Sequence, residues 1–183
     1  MDFMIDLETL GQSPGCVVLS LGVVPFGPRV SAPGRDTGLY LKLHVKKQHE
    51  IGMTEDQDTV EWWSKQGDAA QDVLRASVLD VEPDDACEKL NRFLSERCQQ
   101  SKIRMWANGA DFDLPIIIAL YKAVDLKPAW RYYNHRCYRT LKALAPMMCQ
   151  TAGFDGVPHH ALDDAVHQAR NANEMLRFFA SKE

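Results

Sequence analysis

The chain has 183 residues, of which 45% are hydrophobic and 25% are charged, and its formal net charge is −4. This length and composition predict a single domain over residues 1–183 and exclude a disordered or low-complexity chain. The acidic balance argues against a protein that binds polyanions over its whole surface.

No segment of the sequence indicates a membrane or secreted protein. The longest apolar run, residues 16–26, falls short of the roughly 20 residues of a spanning helix and contains a serine, a glycine and a proline. Asp2 and Asp6 stand where a signal peptide would carry basic residues. We therefore expect no membrane partner.

The cysteines indicate a reducing compartment. They are Cys16, Cys87, Cys98, Cys137 and Cys149. Because they are odd in number, widely spaced and without a C-x-x-C pair, they predict free thiols rather than disulfides or a zinc site. We therefore expect a cytoplasmic protein.

The N-terminal quarter of the chain has the pattern of three strands in an antiparallel meander. Residues 3–7 form a short apolar run, and residues 16–24 are rich in valine and leucine. Residues 39–45 alternate between apolar and polar side chains, which is typical of a half-exposed strand. Loops rich in glycine and proline, at residues 11–15 and 25–38, separate the three runs.

The remainder of the chain changes to helical spacing, interrupted by a fourth strand at residues 103–107. A capping-box pattern begins at Asp58 and predicts a short helix that includes Trp62 and Trp63. Further helices are predicted at residues 72–76, 85–99, 112–124, 140–145 and 161–180. A meander followed by helix, strand and helix predicts a mixed α/β fold.

Asp6 and Glu8 are the first candidate site residues. Side chains two positions apart on a strand share a face, so these carboxylates lie side by side. They repel each other unless a cation lies between them, and oxygen-rich clusters suit Mg²⁺ or Mn²⁺. The alternative is an exposed strand end with two solvated acids.

A second candidate is the segment 106–113, where a strand ends, a glycine turn follows and an acid precedes a helix. This switch from strand to helix is a usual place for a site in an α/β sheet. Pro115 fits the first helical turn, which favours a helix start near Phe112 or Asp113. Asp111 is then expected to cap the helix.

A third candidate lies where the last helix begins, with two adjacent histidines and two adjacent acids. A histidine beside metal-bound acids is a candidate general base. Helical spacing would pair His160 with Asp164, and the residues alone do not decide between His159 and His160.

Residues 121–142 contain six lysines or arginines and one acid, a net charge of +5, which leaves −9 for the rest of the chain. Five aromatic residues are interleaved with these bases: Tyr121, Trp130, Tyr132, Tyr133 and Tyr138. Aromatic rings that stack bases, with cations that follow phosphates, are typical of a groove for single-stranded nucleic acid. Alternatively, about half of these aromatic residues belong to the core.

Together, the three candidate segments resemble the Exo motifs of the DnaQ-like, or DEDDh, 3′→5′ exonuclease superfamily. MIDLETLG matches the first motif, with Asp6 and Glu8 as its acids. NGADFD resembles the second, whose acid follows the phenylalanine and is therefore Asp113. HHALDDA resembles the third, a histidine, four residues and an aspartate, which selects His159 and Asp164.

Two further segments, DTVEWWSKQ and PAWRYYNHRCYRTLKALA, resemble the RNase T-like exoribonuclease group of bacteria and phages. The fold that this implies is RNase H-like, a five-stranded mixed sheet flanked by helices, with the fifth strand expected within residues 132–137. The implied substrates are 3′ ends of single-stranded RNA or DNA, RNA being favoured, and the products are 5′-mononucleotides. A bacterial or phage-encoded protein is implied, and a homodimer is left open.

The mechanism implied by the resemblance uses two Mg²⁺ or Mn²⁺ ions per active site. Asp6, Glu8 and Asp164 would hold one ion, Asp6 would bridge to the second with Asp113 assisting, and His159 would be the general base. Predicted substrate contacts are Thr9, Leu10, Trp62, Phe112, Tyr133, Arg136 and Arg139. The alternatives are an exodeoxyribonuclease of phage recombination or repair, and an inactive nucleic-acid-binding module.

Overall fold

A five-stranded mixed sheet forms the centre of the protein. The structure, a computed structural model, describes residues 1–27, 30, 32–148 and 153–181. The strands are β1 (Asp2–Thr9), β2 (Val18–Phe26), β3 (Leu39–Lys42), β4 (Arg104–Ala107) and β5 (His135–Cys137). Their order in the sheet is β3-β2-β1-β4-β5; β2 runs antiparallel to β1 and β3, whereas β4 is parallel to β1 and to β5. The predicted meander and five-stranded mixed sheet are confirmed.

Helices flank this sheet on both faces. Within the described residues they are α1 (Val45–Glu50), α2 (Gln57–Ser64), α3 (Asp68–Gln71), α4 (Pro83–Ser95), α5 (Asp113–Ala123), α6 (Tyr138–Leu144) and α7 (Ala161–Ala180). The predicted last helix agrees with α7 in both bounds. The helix predicted at residues 72–76 is instead one 3₁₀ turn, Asp72–Leu74, which follows α3.

The third strand is shorter than the sequence predicts. Its apolar alternation continues to Val45, yet β3 ends at Lys42 and Val45 begins α1. The buried Gln48 side chain donates to the Val18 carbonyl and accepts from the Val18 amide, both at 2.8 Å. A side chain from α1 thus satisfies the polar groups on β2 that a longer β3 would have paired.

The alternation of β1 distributes its side chains between two cores. Phe3, Ile5 and Leu7 belong to the larger core, whereas Met4 belongs to the core beneath α6 and α7. Asp6 and Glu8 continue the face of Met4, so they point toward the layer that contains α7.

Gly22 of β2 brings α7 close to the sheet. This residue pairs with Asp6 of β1, and a Cβ atom at Gly22 would lie 2.3 Å from the backbone of Ala161 and Leu162. Such a distance is far inside van der Waals contact, so only glycine permits this approach. The first turn of α7 is thereby placed beside the carboxylates of β1.

Within the described parts of the chain, no helix is long and apolar enough to cross a membrane. Cys16, Cys87, Cys98 and Cys137 are free thiols, and Cys149 lies outside the described residues. The cytoplasmic location and the homodimer stay predictions.

Candidate active site

Three carboxylates meet where β1 ends against α7. Asp6 and Glu8 lie near the C-terminal end of β1, and Asp164 lies in the first turn of α7. One ligand oxygen from each of the three lies within 4.8 Å of the others. The structure therefore brings together residues that are more than 150 positions apart in the sequence.

Asp113 joins this cluster from the first position of α5. Its side chain is buried and accepts a hydrogen bond of 3.1 Å from the Leu7 amide, between the two acids of β1. Asp111 is exposed and lies outside the cleft. The cleft has a volume of about 390 Å³, and its lining consists of Asp6, Leu7, Glu8, Asn108, Phe112, Asp113, Arg139, His159, Asp164 and Gln168.

Burial and mutual repulsion raise the pKa values of these carboxyls in the metal-free protein. Burial, followed by the charges of Asp113, Glu8 and Asp164, raises the pKa of Asp6 well above its usual range. Burial and the charge of Asp164 raise the pKa of Glu8 to about 8. Burial likewise raises the pKa of Asp113 to about 7 and also raises that of Asp164. A cation bound among these carboxylates would offset their mutual repulsion and favour their ionised forms.

The donor set fits a hard divalent cation. All four side chains offer carboxylate oxygens, the ligands that Mg²⁺ and Mn²⁺ prefer over the nitrogen and sulfur ligands typical of zinc. None of the ion pairs formed among the described residues involves any of the four. The negative charge of the cluster therefore remains available to a metal.

Gln168 is a site residue that the sequence analysis missed. Its Nε2 donates to Oδ1 of Asp6 at 2.7 Å, and its Oε1 is buried without a hydrogen-bond partner among the described residues. It lies four positions after Asp164 on α7, so both side chains share one face of the helix. The spacing of four residues from Asp164 is the feature of the sequence from which its position could have been predicted. The free oxygen suits a water or cation in the cleft.

His159 lines the cleft from the loop before α7. Its backbone has a φ of +63°, in the left-handed region, and Asp164 accepts a hydrogen bond from the His159 backbone. The imidazole lies edge-on to Trp62, with ring centroids 4.9 Å apart. His159 is thus held near Asp164 without joining the carboxylate cluster.

The second histidine and the neighbouring acid are engaged elsewhere. His160 is the N-cap of α7: its Nδ1 accepts from the Asp163 amide at 3.4 Å, and its ring stacks on Tyr40 at 4.3 Å. Asp163 is buried and forms an ion pair with Arg35. Of the two alternatives at this helix start, the structure places His159 and Asp164 in the cleft.

A second cavity of about 360 Å³ adjoins the cleft through Leu7, Glu8 and Phe112. It is also lined by Thr9, Gly11, Gln12, Asp58, Thr59, Trp62 and Trp63. Trp62 is 41% exposed, whereas Trp63 is buried and donates to the Thr9 carbonyl at 2.9 Å. The cavity thus has aromatic walls beside the carboxylates.

The structure does not bring Leu10 to either cavity. Its side chain is buried in the larger core and lines a different pocket, next to Leu43 and Val73. The ladder between β1 and β2 shifts register between Glu8 and Thr9, and the Leu10 amide then bonds the Val17 carbonyl. After this irregularity Leu10 points into the core, which corrects its predicted role as a substrate contact.

The basic segment is divided between core and surface. Tyr121, Trp130 and Tyr138 are buried, so the core interpretation holds for these three aromatics. The structure brings Arg139 to the cleft, where its Nη2 donates to the Asn108 carbonyl at 3.1 Å.

Tyr133 and Arg136 line neither cavity. Tyr133 is 58% exposed, and Tyr132 beside it is 80% exposed. Arg136 donates to the carbonyls of Tyr133 and His135, so its guanidinium is held against its own segment. Tyr132 and Tyr133 are thus exposed on the turn before β5 and Arg136 lies within β5, and the predicted placement of Tyr133 and Arg136 in the wall of the cleft is wrong.

Comparisons with known proteins agree with this arrangement. The model of the family described as 3′-5′ exoribonuclease Rv2179c-like domain matches residues 1–176. The exodeoxyribonuclease of Enterobacteria phage T4 is 28% identical over an alignment of 206 positions, which covers 97% of this chain and 88% of the relative.

Two solved structures share the fold at low sequence identity. The nuclease domain of 3′hExo, a DEDDh family member bound to rAMP, has a TM-score of 0.65 at 16% identity, with 97% of this chain and 92% of that chain covered. S. pombe Pop2p, in a form that holds Mg²⁺ and Mn²⁺, has a TM-score of 0.62 at 14% identity, with 100% and 85% covered. The predicted RNase H-like fold is confirmed. The chain therefore belongs to the family of Rv2179c-like 3′-5′ exoribonuclease domains, and it is a DnaQ-like exonuclease of the DEDDh type.

Proposed function

We propose that this protein hydrolyses phosphodiester bonds from the 3′ end of single-stranded nucleic acid, with RNA favoured over DNA, and releases 5′-mononucleotides. The observation that carries the proposal is the meeting of Asp6, Glu8, Asp113 and Asp164 with His159 in one cleft. An inactive nucleic-acid-binding module would have no need to bury mutually repelling carboxylates together.

The proposal includes two Mg²⁺ or Mn²⁺ ions per active site. Asp6, Glu8 and Asp164 would hold one ion. Asp6 would also hold the second ion, with Asp113 assisting. When bound, such ions supply Lewis acidity, lowering the pKa of a water and offsetting negative charge on the phosphate. Gln168 orients the Asp6 carboxylate through its hydrogen bond of 2.7 Å.

Other side chains of the cleft would accept a proton and bind the substrate. His159, at the edge of the cleft, would accept the proton of the attacking water. Trp62 and Phe112 would hold the terminal base in the cavity beside Glu8, with Thr9 in its wall. Arg139, which also lines the cleft, would contact the phosphate.

The exposed tyrosines extend the proposed substrate path beyond the cleft. Tyr132 and Tyr133 lie edge to face at 5.4 Å and are flanked by Arg131 and Arg136. Exposed rings beside cations suit the bases and phosphates of nucleotides upstream of the 3′ end.

RNA is favoured because the matching family is described as exoribonucleases. The second candidate is the same chemistry on DNA, in phage recombination or repair. It is supported by the phage T4 relative, which is an exodeoxyribonuclease.

Digestion of end-labelled RNA and DNA strands of matched sequence tests the proposal. With Mg²⁺ or Mn²⁺, we expect stepwise loss of 5′-mononucleotides from RNA, because the attacked bond must enter the cleft with a free 3′ end. A 3′-phosphate should protect the strand, and a 5′ block should not. Protection by the 5′ block alone would contradict the proposed polarity, and faster cleavage of DNA would favour the second candidate.

Divalent metal should stabilise the protein more at pH 8 than at pH 5. The raised pKa values of Asp113, about 7, and Glu8, about 8, mean that these carboxyls bind protons more tightly folded than unfolded. Their contribution to the free energy of unfolding is therefore full below about pH 4 and is lost as the pH rises toward 8. A cation binds the ionised carboxylates and offsets this loss.

Melting curves with and without millimolar Mn²⁺ at the two pH values measure this effect. We expect a clear rise in melting temperature at pH 8 and a small one at pH 5. The Asp6→Asn variant is the control and should lose most of the rise at pH 8. An unchanged melting temperature at pH 8 in the unaltered protein would refute the metal site.

A further inference from the structure

We infer that the Arg35–Asp163 ion pair is a positioning device that holds the loop carrying His159 against α7. The inference rests on the proposed function, because it assigns these residues a role in placing the general base. Neither residue lines the cleft, so both would act through His159 rather than on the substrate.

Asp163 ties the loop to the helix. One carboxylate oxygen accepts from the Val157 amide at 2.9 Å, and the other pairs with Nε of Arg35. The Asp163 side chain is only 4% exposed, so its charge is withdrawn from water and depends on these partners. Since Val157 lies two residues before His159, this bond holds the loop immediately beside the imidazole.

The loop packs directly on Asp163 and ends in an unfavourable conformation. A Cβ atom at Gly156 would lie 2.7 Å from Cβ of Asp163, so only glycine permits the contact. His159 itself has a φ of +63°. A non-glycine residue keeps such a conformation only where its surroundings enforce it. Two groups are placed to do so: the Asp163 carboxylate, through the Val157 amide, and Asp164, which accepts from the His159 backbone.

Arg35 arrives from the loop between β2 and β3, which is anchored separately to α7. Arg170 of α7 donates from Nε to the Pro33 carbonyl at 3.0 Å, close to the 3₁₀ turn that begins at Arg35. The Arg35 side chain is 54% exposed, so its removal leaves the core intact. Its removal does leave the buried Asp163 carboxylate with one partner fewer, so melting curves of Arg35→Ala are needed to establish that this variant is folded.

A double-mutant cycle separates positioning from general stability. Single-turnover cleavage, with the enzyme in saturating excess over the substrate and with Mn²⁺, is measured for Arg35→Ala, Asp163→Asn and each of these combined with His159→Ala. We expect each single variant to slow the chemical step about 10- to 100-fold, because a small misplacement of a catalytic group has that effect. The KM from steady-state rates and the Mn²⁺-induced rise in melting temperature should not change.

In the His159→Ala background, the same substitutions should cost less than about twofold, since the group they position is gone. Arg35→Lys should restore part of the rate. The matched control is Arg75→Ala, which breaks an exposed ion pair with Asp72 and should leave the rate unchanged. Equal losses with and without His159, or no loss in Arg35→Ala and Asp163→Asn, would overturn the inference.

A structural readout keeps the inference separate from the proposed function. The nuclear Overhauser effect between the His159 and Trp62 rings, which are 4.9 Å apart, needs no activity. It should weaken in Arg35→Ala and Asp163→Asn and persist in Arg75→Ala. An unchanged effect in the first two variants would refute the positioning role, whereas an inactive unaltered protein would refute only the proposed function.

Discussion

Replacing Asp6 by asparagine should lower the rate of 3′-end cleavage by at least about 10³-fold, because a metal site contributes several kcal/mol to the transition state. Asp6 is at the centre of the cluster: its pKa is raised by burial and by the charges of Asp113, Glu8 and Asp164. The same interactions mean that the metal-free variant should melt at or above the temperature of the unaltered protein. Rate measurements and melting curves on one preparation test both parts.

Asp113→Asn and Asp111→Asn form a matched pair for the second motif. Asp113 is buried and accepts from the Leu7 amide, whereas Asp111 is exposed and outside the cleft. We expect a large loss of activity in the first variant and nearly full activity in the second. An inactive Asp111→Asn beside an active Asp113→Asn would show that the motif assignment is two residues in error.

Replacing His159 by alanine should slow the single-turnover rate by about 10²–10⁴-fold, the usual effect of removing a general base. Because His159 is not one of the clustered carboxylates, the stabilisation by Mn²⁺ should be retained. This combination separates a proton acceptor from a metal ligand.

His160→Ala is the control for this prediction. His160 caps α7 and stacks on Tyr40, so its loss should cost about 1 kcal/mol of stability, the size typical of a helix cap, with little effect on the rate. A larger loss of rate in His160→Ala than in His159→Ala would contradict the assignment and favour the pairing of His160 with Asp164.

Most local elements, and the shared face of the two acids on β1, are predictable from the sequence alone. Two-residue alternation places Asp6 and Glu8 on one face, and helical spacing gives α7 from Ala161 to Ala180. These features depend on neighbours within a few residues, so the local pattern is sufficient to predict them. The choice of His159 over His160 needed the resemblance to a family, since helical spacing left it open, whereas Pro115 had already indicated that Asp111 caps the helix.

Which side chains meet across the fold depends on how the strands and helices pack, and local sequence patterns do not predict it. Three hydrogen bonds join residues that are far apart in the sequence. The separation is 106 positions for Leu7 and Asp113, 162 for Gln168 and Asp6, and 128 for Arg35 and Asp163. The side chain of Leu10 points into the core, after a register shift between β1 and β2. No local sequence pattern predicts that shift. Contacts of this kind arise from how the strands and α7 pack, and Gly22, whose missing side chain admits α7 to the sheet, shows that one residue's role can depend wholly on that packing.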